Sequence, residues 1–243
     1  MTNKSKKKDK VSNKNKIIDI PFAGKIHKGT NASHGDIEYQ YQNYSNILNF
    51  FRNIKLKLCL FDNSFINLDI DDLGKGIFTI YDLKIFIKNI NKCIKYKHNF
   101  IPVVFNLISS EGNHANILLI NKKNKTIELF EPHGSRTSSS TLGGVVGIYR
   151  KKLKELNKFW KNILSDYSVI NSVDYQSGTA FQAKYDPENH SGYCVSWTIL
   201  FVHYRLLNPN TKLDILIKYI SDKITTKKLL QYTKYIEENI KSK

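Results

Sequence analysis

HANILLINKKNKTIELFEPHG, residues 114–134, holds two apolar runs on either side of a polar, lysine-rich break. The runs His114–Ile120 and Thr126–Glu131 read as two strands, and Asn-Lys-Lys-Asn-Lys between them as a hairpin loop. A regular hairpin with its turn centred on Lys122-Lys123 predicts His114 directly opposite Glu131. Their β-carbons would then lie roughly 4.5–5.5 Å apart on one face of the sheet. A turn of odd length would instead carry Glu131 to the other face. A carboxylate so placed can accept the imidazole Nδ1–H, fix the tautomer and favour imidazolium. Asn116 shares the face of His114. It could align that ring or a substrate backbone, and ordinary strand polarity explains it equally well.

Working outward, Phe100–Ser109 is apolar and β-branched, the pattern of a buried strand, and Ser-Glu-Gly-Asn (110–113) turns it into the hairpin. Beyond the hairpin, a Ser/Thr/Gly-rich loop spans 135–144. Residues 145–164 form an amphipathic helix with Ile148, Leu153, Leu156, Phe159, Trp160 and Ile163 on one side. A short strand at Tyr167–Val173 and a loop over 174–192 follow. CVSWTILFVHYRLL (194–207) is apolar on most sides and predicts a buried central helix, which Asn208-Pro209-Asn210 ends. Two helices, near 211–221 and 224–241, complete the chain. Upstream, helices are expected at 43–53 and 81–94, the latter with Leu83, Ile85, Phe86, Ile90 and Cys93 at helical spacing. Cys93 and Cys59 read as buried structural thiols. The expected division is a disordered basic tail (1–16), a helical and irregular region packed on the core (17–99) and a catalytic core (100–243). The fold class is α+β, a central mixed sheet with a buried helix carrying Cys194 and flanking helices.

Length and composition set the bounds. The 243 residues suffice for one substantial core, and 41% hydrophobic content fits a globular protein. No apolar run reaches the eighteen or so residues of a membrane span, so no membrane partner is expected. The first residues carry charge with no apolar segment behind them, unlike a secretory signal. Three cysteines leave one unpaired and show no metal-ligand spacing, which points to a reducing, intracellular setting. Net charge is +17, and residues 1–16 contribute seven lysines against one aspartate. Such a tail is a candidate for nucleic acid. Solubility and AT-rich codon usage explain it more plainly, and only four arginines are present for phosphate recognition.

Cys194 gains its chemistry from position. Gly192 and Tyr193 precede it and the apolar helix begins at it. A thiol there meets the partial positive charge of free backbone N–H groups, which favours thiolate. The same groups can hold an oxyanion, and Gln182, with Gln176 as rival, is the side chain that could complete the hole. His114 as base, Glu131 as its orienting carboxylate and Cys194 as nucleophile make an ordered set for a thiol hydrolase, with no metal or other cofactor required. His133 and His190 are weaker candidates for the base.

These residues resemble the adenovirus-type maturation protease and its relatives among SUMO-deconjugating proteases and large DNA virus proteases. In that family a histidine heads one strand and Phe-Glu-Pro ends the next, as His114 and Phe130-Glu131-Pro132 do here. An oxyanion-hole glutamine and a cysteine opening a buried helix follow, the places of Gln182 and Cys194. The order is permuted relative to papain, so the resemblance implies a permuted papain-like fold. Gly192-Tyr193-Cys194 with Trp197 is most similar to proteins of giant DNA viruses. The resemblance covers roughly 100–205 and has three departures. Ala115 stands where the family often has tryptophan and Val195 where it usually has glycine, and the interval from Gln182 to Cys194 is longer.

The resemblance implies cleavage of a peptide or isopeptide bond in a protein substrate, either a viral precursor or a ubiquitin-like conjugate. It places the protein in host cytoplasm or in a virion. Two other functions use the same residues. Bacterial effector acetyltransferases carry a related triad, although no coenzyme A pocket is recognisable here. An inactive basic protein on the same fold could bind nucleic acid or act as a scaffold.

Overall fold

In the computed structural model the described residues are 17–22, 43–71, 75–110, 112–132, 142–175, 181 and 193–241. Their centre is a six-stranded mixed sheet of β1 (Phe65–Ile70), β2 (Gly76–Thr79), β3 (Phe100–Ser109), β4 (Gly112–Asn121), β5 (Thr126–Phe130) and β6 (Ser168–Asn171). The strand order is β2-β1-β3-β4-β5-β6. β1 runs parallel to β3 and β5 parallel to β6, while the other neighbours are antiparallel. β3 and β4 lie in the middle, and their near-continuous Val, Ile and Leu content suits strands covered on both faces.

Helices cover both faces. On one side α2 (Leu83–Lys95) and α3 (Leu142–Ile163) lay Phe86, Ile90, Cys93, Leu156 and Trp160 over Val103, Phe105, Leu118 and Leu129. On the other, α1 (Ser45–Asn53), α4 (Cys194–Leu207), α5 (Leu213–Lys223) and α6 (Thr226–Lys241) enclose Val104, Ala115, Ile117, Leu119 and Phe130. α4 lies innermost; Trp197, Ile199, Leu200, Phe201, Val202 and Tyr204 are fully buried. Phe201 stacks on Phe130 of β5 at 4.4 Å between ring centres. This is the α+β arrangement expected, a mixed sheet with a buried helix headed by the cysteine.

Three expectations need correction. β1 and β2 were not read from the sequence, because FINLDI and GIFT are short and carry polar residues such as Asn67 and Asp69 among the apolar ones. The hairpin is offset by two residues: Asn121 pairs with Thr126 and Ile117 with Phe130, which centres the turn on Lys123-Asn124. Asn121 explains the offset. Its Oδ1 accepts from the Asn124 N–H (3.2 Å) and its Nδ2 donates to Glu128 (3.2 Å), so it belongs to the ladder and braces the turn. Lys125 then closes the loop in the left-handed region, at φ 51°. Finally, Cys59 and Cys93 are not separate thiols but a disulfide, with α-carbons 5.6 Å apart. The 1–16 tail and the 135–141 stretch lie outside the described residues.

Candidate active site

Because the offset is an even number of residues, every side chain keeps its face. Glu131 therefore stays on the face of His114, now as a diagonal rather than a direct neighbour. Diagonal β-carbons stand about 7–8 Å apart, within reach of two long side chains. They meet at His114 Nε2 and Glu131 Oε1, 2.6 Å apart, with His114 6% and Glu131 4% exposed. The carboxylate thus holds Nε2, not the Nδ1 expected from the sequence, which leaves Nδ1 as the other ring nitrogen. The Glu131 N–H donates to Ser172 Oγ (3.1 Å), a buried hydroxyl just beyond β6. Nothing in the sequence reading singled out Ser172; its position directly after an edge strand was the available signal.

Cys194 opens α4, is 7% exposed and is the free cysteine. Thr198, one turn further on, donates its hydroxyl to the Ala115 carbonyl (3.3 Å). That bond sets the register of α4 on β4, so the thiol arrives beside residues 114 and 115. Thr198 is a second residue that the sequence reading passed over. The sulfur then meets three favourable groups: the His114 side chain, by hydrogen bond and by charge, and the backbones of Ala115 and Val195. The Val195 N–H belongs to the helix amino terminus, whose partial charge favours an anion.

Burial alone would raise the thiol and lower the imidazole, since both charged forms lose water. The pair reverses both tendencies. Against its burial, Cys194 is held below the ordinary thiol value by the His114 hydrogen bond and charge and by the two backbone groups. Against its own burial, His114 is raised to about 10 by the charge of Glu131 and by its bonds to Cys194 and Glu131. The arrangement favours a thiolate–imidazolium pair backed by a carboxylate. A thiolate of this kind is a ready nucleophile at neutral pH, with an acid beside it to protonate a leaving group.

His114, Glu131 and Cys194 therefore come together, and Asn116, two residues from His114 on β4, is fully buried. Gln182, Gln176, His133 and His190 lie outside the described residues. Among the described residues no cluster of His, Cys, Asp or Glu is arranged to hold a metal ion, and no helix is long and apolar enough to cross a membrane.

No family model matches the chain. Over 175 residues it is 27% identical to L371 of Acanthamoeba polyphaga mimivirus, a protein named for ankyrin repeats. That region takes in 67% of this chain and 22% of the relative, so the chain spans about a fifth of the relative's length. Among solved structures it is similar to the SUMO protease Ulp1 with an oxidised catalytic cysteine (TM-score 0.40, 13% identity, 88% of this chain and 86% of that one). It is also similar to the Chlamydia trachomatis effector ChlaDUB1 (TM-score 0.40, 12% identity, 82% and 73%). The ASFV pS273R protease gives a TM-score of 0.38 at 13% identity, over 80% of this chain and 66% of that one. The structural neighbours thus include two proteins named as proteases, and the sequence relative is viral.

Proposed function

We propose that the chain is a cysteine peptidase that cleaves a peptide or isopeptide bond in a protein substrate. One observation carries this reading: a buried His114–Glu131 contact of 2.6 Å whose imidazole is hydrogen-bonded to a free thiol at a helix amino terminus. In the proposed reaction the Cys194 thiolate attacks the carbonyl carbon and expels the amine as His114 gives it a proton. The resulting thioester is hydrolysed when neutral His114 takes a proton from water, and the attacking oxygen displaces the thiolate. Glu131 orients the ring throughout. The Cys194 N–H and Gln182 are the proposed oxyanion donors.

Ubiquitin-like conjugates ending in glycine are the first substrates to try, with viral precursor proteins second. Support comes from the resemblance at His114, Phe130-Glu131-Pro132 and Cys194. The neighbours add a SUMO protease and a Chlamydia effector solved with ubiquitin. Since Cys194 is the free cysteine, loss of probe labelling in Cys194→Ala is not decisive by itself. The test is the wild-type rate of alkylation at pH 6 together with cleavage of a conjugate panel. Fast alkylation, with cleavage abolished in both Cys194→Ala and His114→Ala, is expected. Alkylation no faster than that of an ordinary thiol would remove the reading.

A further inference from the structure

Asn116 is fully buried, yet neither its amide oxygen nor its amide nitrogen has a hydrogen-bond partner among the described residues. A buried amide left unpaired in both senses is costly, and native structures keep few of them. Its place is informative. It sits on β4 two residues after His114 and so on the same face. One step past the last ladder pair, Ile117 with Phe130, it comes level with Glu131. From that level the Glu131 carboxylate reaches His114 at 2.6 Å. An uncommitted amide therefore stands at the strand position opposite a buried carboxylate whose imidazole partner would change charge in the proposed reaction.

We propose that Asn116 is a positioning residue that donates its amide N–H to Glu131 when His114 is neutral; this rests on the peptidase reading above. In the resting state the imidazolium balances Glu131, and the amide has no task. During acylation the sulfur–carbon bond forms, the carbon–nitrogen bond breaks, and the Nδ1 proton of His114 passes to the departing amine. Glu131, 4% exposed, is then an anion beside a neutral ring. A charge-assisted hydrogen bond from Asn116 offsets that imbalance in the acyl-enzyme and in the transition state leading to it. Hydrolysis of the thioester restores the imidazolium and releases the amide. The unpaired amide of the resting state is, on this account, a donor held for the acyl-enzyme.

The consequence depends on the leaving group. An amine needs the His114 proton to depart, while 4-nitrophenolate leaves without it, so only amide cleavage neutralises His114. The experiment uses the full chain and two substrates with one acyl part ending in Gly-Gly, a coumarin amide and a 4-nitrophenyl ester. Asn116→Leu, similar in volume, and Asn116→Ala, which cannot clash, remove the donor. Amide acylation is expected to fall about ten- to a hundredfold, the rate equivalent of one charge-assisted hydrogen bond. Ester acylation and Cys194 alkylation at pH 6 should change less than about threefold. Asn116→Ser, which keeps a donor, should restore part of the amide rate. Equal loss on both substrates would make Asn116 a packing residue of the resting site and overturn the proposal, as would no loss on either. If the wild type cleaves neither substrate, it is the peptidase reading that fails.

Discussion

At the scale of single residues, a buried and a half-buried histidine are pushed in opposite directions. His203 rests against the Tyr232 hydroxyl at 3.0 Å, and burial drives it down to about 4. His114 is more deeply buried yet faces Glu131 and Cys194, and it rises to about 10. The difference lies in the neighbours, since desolvation acts on both in the same sense. For folding, the raised value of His114 contributes stability that is fully present below its ordinary 6.5 and is lost as pH rises through about 10. Cys194 has the opposite sign: its lowered value contributes stability at high pH that is lost as pH falls through its folded value. The thiolate therefore has its greatest advantage over an ordinary thiol on the acid side of neutrality. Between about pH 6 and 9, alkylation of wild-type Cys194 should rise less steeply with pH than that of an ordinary thiol. Glu131→Gln removes the carboxylate charge that raises His114. At pH 6 that variant should alkylate at least about tenfold more slowly, and by pH 10 the two proteins should converge. A Glu131→Gln profile that overlays wild type at pH 6 would show that the carboxylate does not set the pair.

At the scale of elements, what could be read from the sequence is what local pattern dictates. His114 and Glu131 bound two apolar runs of strand-like composition, and Cys194 begins an apolar run too long for a strand, so their elements follow directly. Register is less legible. Whether Asn121 sits in the loop or in the ladder depends on side-chain bonds to Asn124 and Glu128, and period-two alternation is blind to a shift of two. β1 was hidden because its partner β3 begins thirty residues later and pairs with it in parallel. The Cys59–Cys93 bond was hidden for a related reason: pairing requires knowing that α2 packs beside the segment leading to β1. That bond spans 34 residues, and closing such a loop is worth about 3–4 kcal/mol through the unfolded chain. Reduction, or Cys93→Ser, should lower stability by about that amount in urea denaturation. Because the disulfide lies on α2, across the sheet from α4, Cys194 alkylation at pH 6 should persist in the reduced, still-folded protein. A protein equally stable with and without reductant would mean that the bond constrains little.

At the scale of the whole molecule, α4 joins the site to the rest of the core. Its first turn supplies Cys194, and its last turn supplies Arg205, a residue obscured in the sequence by the apolar run around it. Arg205 Nε and Nη2 donate to the two oxygens of Glu128 on β5, each at 2.8 Å, with the side chains 1% and 2% exposed. Its Nη1 donates to the carbonyls of Asn208 (3.0 Å) and Thr211 (2.6 Å), tying the α4–α5 connection to the same point. Asn121 and Thr126 add their own bonds to Glu128, so the brace reaches the hairpin turn whose far ends hold His114 and Glu131. Two fastenings thus fix α4 on the sheet, Thr198 near the thiol and Arg205 at the opposite end. A buried pair adds little net stability over apolar residues of the same size, but stranding one member is expensive. Arg205→Met should therefore cost about 3–5 kcal/mol by leaving Glu128 uncompensated, while adding Glu128→Leu should recover most of the loss. Urea denaturation of the two single variants and the double variant measures this directly. If the pair serves to hold register, the double variant will regain stability yet alkylate Cys194 more slowly at pH 6, because α4 can slide against β4. Recovery of both would confine the brace to stability, and a double variant no more stable than Arg205→Met would show that Glu128 was not the stranded charge.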